Sequence, residues 1–212
     1  MFAESDHLDA KSGRCILRSG FGGINHVTKQ DRAGDEAKAA GALKVVSEEI
    51  GRTVAGVAAE DLARFVSAVA SAKRVLVTGS GRSGLVARAF AMRLMHVGVE
   101  AHVIGETATP SCGKGDLVVA ISGSGERPTT LLRATEAVAS GCTLAAVTYS
   151  LDSVMGRLAK TVLLIPRGST KQFGGSLFEQ SALGTLDAAV MLLQERLDAS
   201  ERDMRERHAT VE

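Results

Sequence analysis

The stretch Arg74-Val75-Leu76-Val77-Thr78-Gly79-Ser80-Gly81-Arg82-Ser83-Gly84-Leu85-Val86-Ala87 decides the fold. An apolar run, Arg74 to Thr78, enters a turn with three glycines and leaves it as a helix beginning Leu85-Val86-Ala87. A run without polar alternation predicts a strand covered on both faces, the condition of a parallel sheet. Glycines let the backbone approach a ligand closely, and a helix N-terminus offers free N–H groups at the positive end of a dipole. The turn is therefore shaped to receive a phosphate, although tight packing of strand against helix also accounts for its glycines.

Working outward, the same kind of run recurs at Ala101 to Ile104, Leu117 to Ile121, Leu144 to Thr148 and Val162 to Ile165. The segments between these runs are too long for hairpin turns, so the strands are parallel and joined by right-handed crossovers. The expected fold is α/β, a doubly wound five-stranded parallel sheet of flavodoxin-like strand order. Pro110 and the glycines between Gly105 and Asp116 predict an irregular crossover in place of a helix. Upstream, Ala39, Leu43, Val46 and Ile50 form the stripe of an amphipathic helix, and a second helix spans Ala59 to Ala70, with Glu60 and Asp61 in its first turn. Downstream, a long helix should run from about Ser176 to Leu197, followed by a polar tail with a short helical turn. The long helix is apolar over more than one stripe, which two readings explain: burial within its own domain, or a subunit interface shared with the Ala39 to Ile50 helix. Residues 1–34 show no period and read as a flexible extension, leaving residues 35–212 as one domain.

The chain has 212 residues, and Lys+Arg 25 against Asp+Glu 24 leaves a net charge of +1, too little to hold a phosphodiester backbone. With no Trp and one Tyr there is little to stack bases on, so nucleic acid is not an expected partner. Cys15, Cys112 and Cys142 form no metal-binding or disulfide spacing, which fits a reducing, cytoplasmic setting. No apolar run is long enough for a signal peptide or a membrane span.

A second Ser-Gly loop, Ser122-Gly123-Ser124-Gly125, ends the third strand. In the expected strand order the first and third strands are neighbours whose connections leave in opposite directions, so a crevice opens between the two loops. The GxGxxG spacing of the first loop and the acidic Glu106 just past the second strand raise NAD binding as one reading. Two convergent loops bearing hydroxyl and backbone donors favour the other, a single compact phosphomonoester.

Four motifs together resemble the 6-phospho-3-hexuloisomerase family of the sugar isomerase (SIS) domain superfamily. They are Gly79 to Gly84, Ala89-Phe90-Ala91-Met92-Arg93-Leu94-Met95-His96, Val103-Ile104-Gly105-Glu106-Thr107-Ala108-Thr109-Pro110, and the second Ser-Gly loop. Leu177-Phe178-Glu179-Gln180 and Arg207-His208 resemble the family's C-terminal end, and the likeness extends from about residue 38 onward. The resemblance implies reversible isomerisation of D-arabino-hex-3-ulose 6-phosphate and fructose 6-phosphate. That reaction belongs to the ribulose monophosphate pathway of formaldehyde fixation or its reverse. It implies no metal and no organic cofactor, and a homotetramer with sites near subunit interfaces. An isomerase of another sugar phosphate, or a SIS module that senses a sugar phosphate without turning it over, are the alternative readings.

Moving a carbonyl between C3 and C2 needs one base and one proton donor acting on an enediolate. By its match to the family's Phe-Glu motif, Glu179 is expected to be the base, and by its match to Arg-His, His208 is expected to shuttle protons, from its own or a neighbouring subunit. Phosphate is expected on Ser122, Gly123, Ser124 and Gly125, with Ser80, Gly81, Arg82 and Ser83 from the first loop. His96 and His102 read as packing and strand-end residues. Two departures from the family stand out. The second loop usually continues Glu-Thr, but here Glu126 is followed by Arg127-Pro128-Thr129-Thr130, so the Thr contact passes either to Arg127 or to Thr129. Before Phe178 the usual Pro-Leu-Gly-Thr is replaced by Phe173-Gly174-Gly175-Ser176, a more flexible approach to Glu179.

Overall fold

The computed structural model describes residues 16–18, 24–26 and 29–210, with side chains from residue 34 onward. The chain divides into two compact units, residues 1–47 and residues 48–212. In the first, β1 (Ile16–Arg18) pairs antiparallel with β2 (Ile24–His26), and α1 (Lys29–Ala55) begins. Most of residues 1–34, Cys15 included, lies outside the described residues; within them α1 starts six residues before Asp35. The Ala, Lys and Glu content of residues 33–40 sustains helix in that region without a buried stripe. Leu43 is exposed, and the buried positions of α1 are the polar Glu49 and Thr53.

The second unit carries α2 (Ala59–Ala70), β3 (Val75–Gly79), α3 (Arg82–His96), β4 (Ala101–Val103), β5 (Leu117–Ile121), α4 (Pro128–Ala139) and β6 (Thr143–Thr148). It continues through α5 (Val154–Leu158), β7 (Thr161–Leu164), α6 (Ser176–Arg196) and α7 (Glu201–Glu206). The five strands β3 to β7 form one parallel sheet in the order β4-β3-β5-β6-β7, the flavodoxin-like arrangement anticipated from the sequence.

Alternate strand residues feed two cores. Val75, Val77, Val119, Ile121, Val147 and Leu163 point to the face covered by α2, α3 and α6, where they meet Phe65, Phe90, Leu94, Phe178 and Leu186. Leu76, Val118, Ala120, Leu144 and Ala146 point to the other face, against Ala134 and Ala137 of α4 and Met155 of α5. This two-sided burial is why the strand sequences do not alternate with polar residues. Each such large side chain contributes about 1.5–3 kcal/mol.

Between β4 and β5 the crossover is irregular, as Pro110 and the glycines require. Its end is organised by Asp116, which is buried and accepts from Arg74 Nη2 at 2.7 Å, Arg74 Nε at 3.1 Å and Gly113 N–H at 3.0 Å. Cys112 on this crossover and Cys142 are free thiols. Burial, with the Cys112 thiol beside it, pushes Cys142 up to about 12, so it stays protonated and unreactive at neutral pH. α6 packs Phe178, Ala182, Leu186, Ala189 and Leu193 into the first core yet leaves Met191 and Leu192 exposed. Its apolar surface exceeds what the single chain covers. Among the described residues no helix is long and apolar enough to cross a membrane.

Phe90 is fully buried with its ring centroid 5.9 Å from that of Phe65, so Phe90→Ala is expected to cost about 3–5 kcal/mol, read by denaturant melts. Hydrogen bonding from Arg74 holds the Asp116 carboxyl below the ordinary Asp value of 3.8. Its contribution to stability is therefore present above that value and is lost as pH falls through the folded-state pKa. Thermal melts between about pH 5 and pH 3 should show a shallower acid loss in Asp116→Asn than in the parent, from a lower starting stability at neutral pH.

Candidate active site

The strand-to-helix turn after β3 is held by backbone contact. A Cβ on Gly79 would lie 2.7 Å from the Ser83 carbonyl group, and one on Gly84 would lie 3.0 Å from Gly79 O. These two glycines serve strand–helix packing. Gly81 differs: with φ at +59° and no atom within 4 Å of a built Cβ, it turns its backbone toward open space at the start of α3. Ser83 is buried behind it, and Ser80 Oγ lies 2.9 Å from Thr130 Oγ1.

The second loop follows β5 and is ordered by its own hydroxyls. Ser122 Oγ accepts from Gly125 N–H at 3.2 Å and Ser124 Oγ from Glu126 N–H at 3.3 Å. Gly123 has no room for a side chain, since a Cβ would sit 2.7 Å from Tyr149 and 3.2 Å from Phe178. Gly125 combines φ of +68° with a Cβ position 2.1 Å from Ser153 Oγ. The Glu126 carboxylate accepts from Val154 N–H at 2.7 Å, tying this loop to α5. Immediately after it α4 begins at Pro128 with no side-chain cap, leaving first-turn N–H groups open.

Two motifs 97 positions apart in sequence meet here. Glu179, in the first turn of α6, forms an ion pair through Oε2 with Arg82 Nε at the start of α3. The Glu179 side chain is 14% exposed, whereas Arg82 is 59% exposed, so the carboxylate is the shielded partner. Phe178 beside it packs its ring edge-on to Tyr149, with centroids 5.5 Å apart.

His208 lies elsewhere. Its ring stacks on His96 at 5.0 Å, and Arg207 Nη1 donates to His96 O at 3.0 Å. His96 ends α3, so His208 is separated from Arg82 by the length of that 15-residue helix, about 20 Å. Within one chain the fold does not bring His208 to Glu179. Arg127 and Thr129 are both exposed at the start of α4, and the buried threonine there is Thr130, whose hydroxyl meets that of Ser80. Its periodicity could have signalled this: Thr130, Ala134 and Ala137 share the buried face of α4. Arg133 on the same helix belongs to no motif that the sequence displays. Its Nη1 donates to Thr78 Oγ1 at 3.5 Å, its guanidinium presses on Gly105, and among the described residues it has no carboxylate partner. Glu106, the residue that raised NAD binding, is ion-paired to Arg88 at 3.1 Å.

Gly125→Ala is expected to cost at least about 1–2 kcal/mol from the left-handed backbone alone, with the Ser153 clash added, and to weaken binding of inorganic phosphate. Thermal shift with and without phosphate reads both effects.

A sequence model of the SIS domain family matches residues 68–190. A 3-hexulose-6-phosphate isomerase of Mycobacterium gastri is 38% identical over 178 residues, spanning 80% of this chain and 89% of that protein. The 3-hexulose-6-phosphate isomerase of Bacillus subtilis strain 168 is 35% identical over 176 residues, spanning 79% and 95%. Among solved structures, a hypothetical protein of Methanococcus jannaschii, whose crystal structure infers a molecular function of 3-hexulose-6-phosphate isomerase, matches with a TM-score of 0.72. It is 31% identical, over 80% of this chain and 98% of that one.

Proposed function

Because the chain belongs to the SIS domain family and, within it, to the 3-hexulose-6-phosphate isomerases, we propose that it interconverts D-arabino-hex-3-ulose 6-phosphate and fructose 6-phosphate with Glu179 as the base. The observation that carries the assignment of the base is the meeting of Glu179 with Arg82 at the ends of α6 and α3, beside two Ser-Gly loops.

In this reading the phosphate lies against the Ser122 to Gly125 loop, the open N-terminus of α4 and the backbone at Gly81, with Ser80 and Thr130 on its flank. The Glu179 carboxylate takes the proton from C2 of the 3-ketose. The C2–C3 enediolate forms, and the same carboxyl returns the proton to C3, leaving the carbonyl at C2. While Glu179 is neutral, the Arg82 guanidinium beside it loses its anionic partner and turns its charge to the enediolate oxygens. The hydroxyl protons exchange through a group other than the same chain's His208, which sits at the far end of α3. The His208 of a second copy fills that role in a homo-oligomer, for which the exposed Leu85 and Met92 of α3 and Met191 and Leu192 of α6 provide apolar surface. A homotetramer in a cytoplasmic, reducing compartment accords with this surface and with the free Cys112 and Cys142.

Carbon NMR of the protein incubated with fructose 6-phosphate should show the 3-ketose appearing. Glu179→Gln should slow that appearance by about 10²–10⁴-fold while fructose 6-phosphate still raises the melting temperature. A raised melting temperature with no 3-ketose from the parent protein would replace this reading with that of a sugar-phosphate sensor.

A further inference from the structure

The buried face of α1 near its end is polar, and what it holds is the strap that leads into the candidate base. After β7 and Ile165, residues 166–175 lead into α6 without helix or strand. At the centre of this strap Glu49, 6% exposed, takes three hydrogen bonds: from Thr170 Oγ1 at 2.7 Å, Lys171 N–H at 2.9 Å and Gln172 Nε2 at 3.0 Å. These bonds hold its carboxyl below the ordinary carboxylate value, so it is an anion at neutral pH. One turn further along α1, Thr53 Oγ1 approaches Gly168, and just past the end of the helix Gly56 approaches Pro166.

Both ends of the strap reach the site. At its start the Arg167 guanidinium lies 5.0 Å over the Tyr149 ring, which packs edge-on to Phe178. At its end Phe173 O accepts from Ser176 N–H, and Gly175 O accepts from Glu179 N–H at 3.0 Å. Gly175 is so close to the Glu179 side chain that a Cβ there would stand 3.1 Å from Oε1. The strap thus fixes the first turn of α6, yet its last residues before the helix, Gly174 and Gly175, offer no side chain to stiffen it. Phe173, 95% exposed, contributes no packing either.

We propose that Glu49 is a positioning residue for the isomerase reaction, an anionic clamp on residues 170–172 that sets the Glu179 carboxylate against Arg82. The proposal rests on the functional reading above. Glu49 touches neither the phosphate loops nor Glu179. Its loss therefore displaces the base and leaves the anion grip intact.

Arg167 and Lys171 place two trypsin sites in the strap, which gives a readout independent of activity. Glu49→Ala in the full chain is expected to be nicked after Arg167 or Lys171 faster than the parent, because the clamp no longer closes the strap. Its kcat should fall about 10- to 100-fold for the displacement of one reacting group. KM for fructose 6-phosphate should move by less than about threefold, since ground-state binding is untouched. Glu49→Gln, which keeps an acceptor for the Lys171 N–H, should recover some of the kcat, and Thr170→Val should lower kcat in the same sense. Faster nicking with unchanged kcat would overturn the proposal, as would a KM rising in step with the loss of kcat. A parent protein inactive on fructose 6-phosphate overturns the functional reading first, and is recognised before any substitution is made.

Discussion

The absence of space for a side chain at Gly79 is the constraint from which the site is built. Because Gly79 and Gly84 touch through their backbones, α3 starts directly over the end of β3. Arg82 is then placed at the first position of the helix, and its reach defines where Glu179 of α6 can form an ion pair. Gly123 acts in the same way at the end of the neighbouring strand, admitting Tyr149 and Phe178 against the backbone and so drawing the start of α6 to the second loop. Two steric exclusions, at the end of β3 and just after β5, thus bring residues 97 positions apart into contact.

Those exclusions also show how much the sequence discloses. The two-sided strands, their order, the irregular crossover and the bounds of α6 were legible because they follow from apolar runs and breaker residues, which are local. Ser80 to Ser83 and Ser122 to Gly125 are legible as Ser-Gly turns at the ends of neighbouring strands, whereas Glu179 is singled out only by its likeness to the family's Phe-Glu motif, and its ion pair with Arg82 is a contact the sequence does not display. The face of α1 was not legible. Its apolar stripe from Ala39 to Ile50 reads as one face of an amphipathic helix, whereas the positions buried within the chain are Glu49 and Thr53, whose partners in residues 166–175 are more than 100 positions away. A buried carboxylate is indistinguishable in sequence from a solvated one until the donors that satisfy it are located. For the same reason Thr129 could not be told from Thr130 by residue type; only the rotation of α4 separates them.

His208 illustrates a different limit. A motif near a chain's end carries no information on which copy it serves, and its stacking on His96 ties it to the wrong end of α3 for its own Glu179. The same C-terminal segment is well anchored there, with a capping box at Ser200 and Asp203 and the Arg207 bond to His96 O. These contacts fix the segment at the C-terminal end of α3.

The charges around the two Ser-Gly loops are not evenly balanced as those of the whole chain are. Three carboxylates near these loops are engaged: Glu179 with Arg82, Glu106 with Arg88, and Glu126 with the Val154 N–H. Arg127 and Arg133 have no carboxylate partner among the described residues, and the N-termini of α3 and α4 add the positive ends of two dipoles. A half-buried guanidinium such as Arg133 loses hydration without regaining a full charge partner, a cost that an incoming anion removes. The local field is therefore one whose electrostatic cost an anionic ligand would relieve.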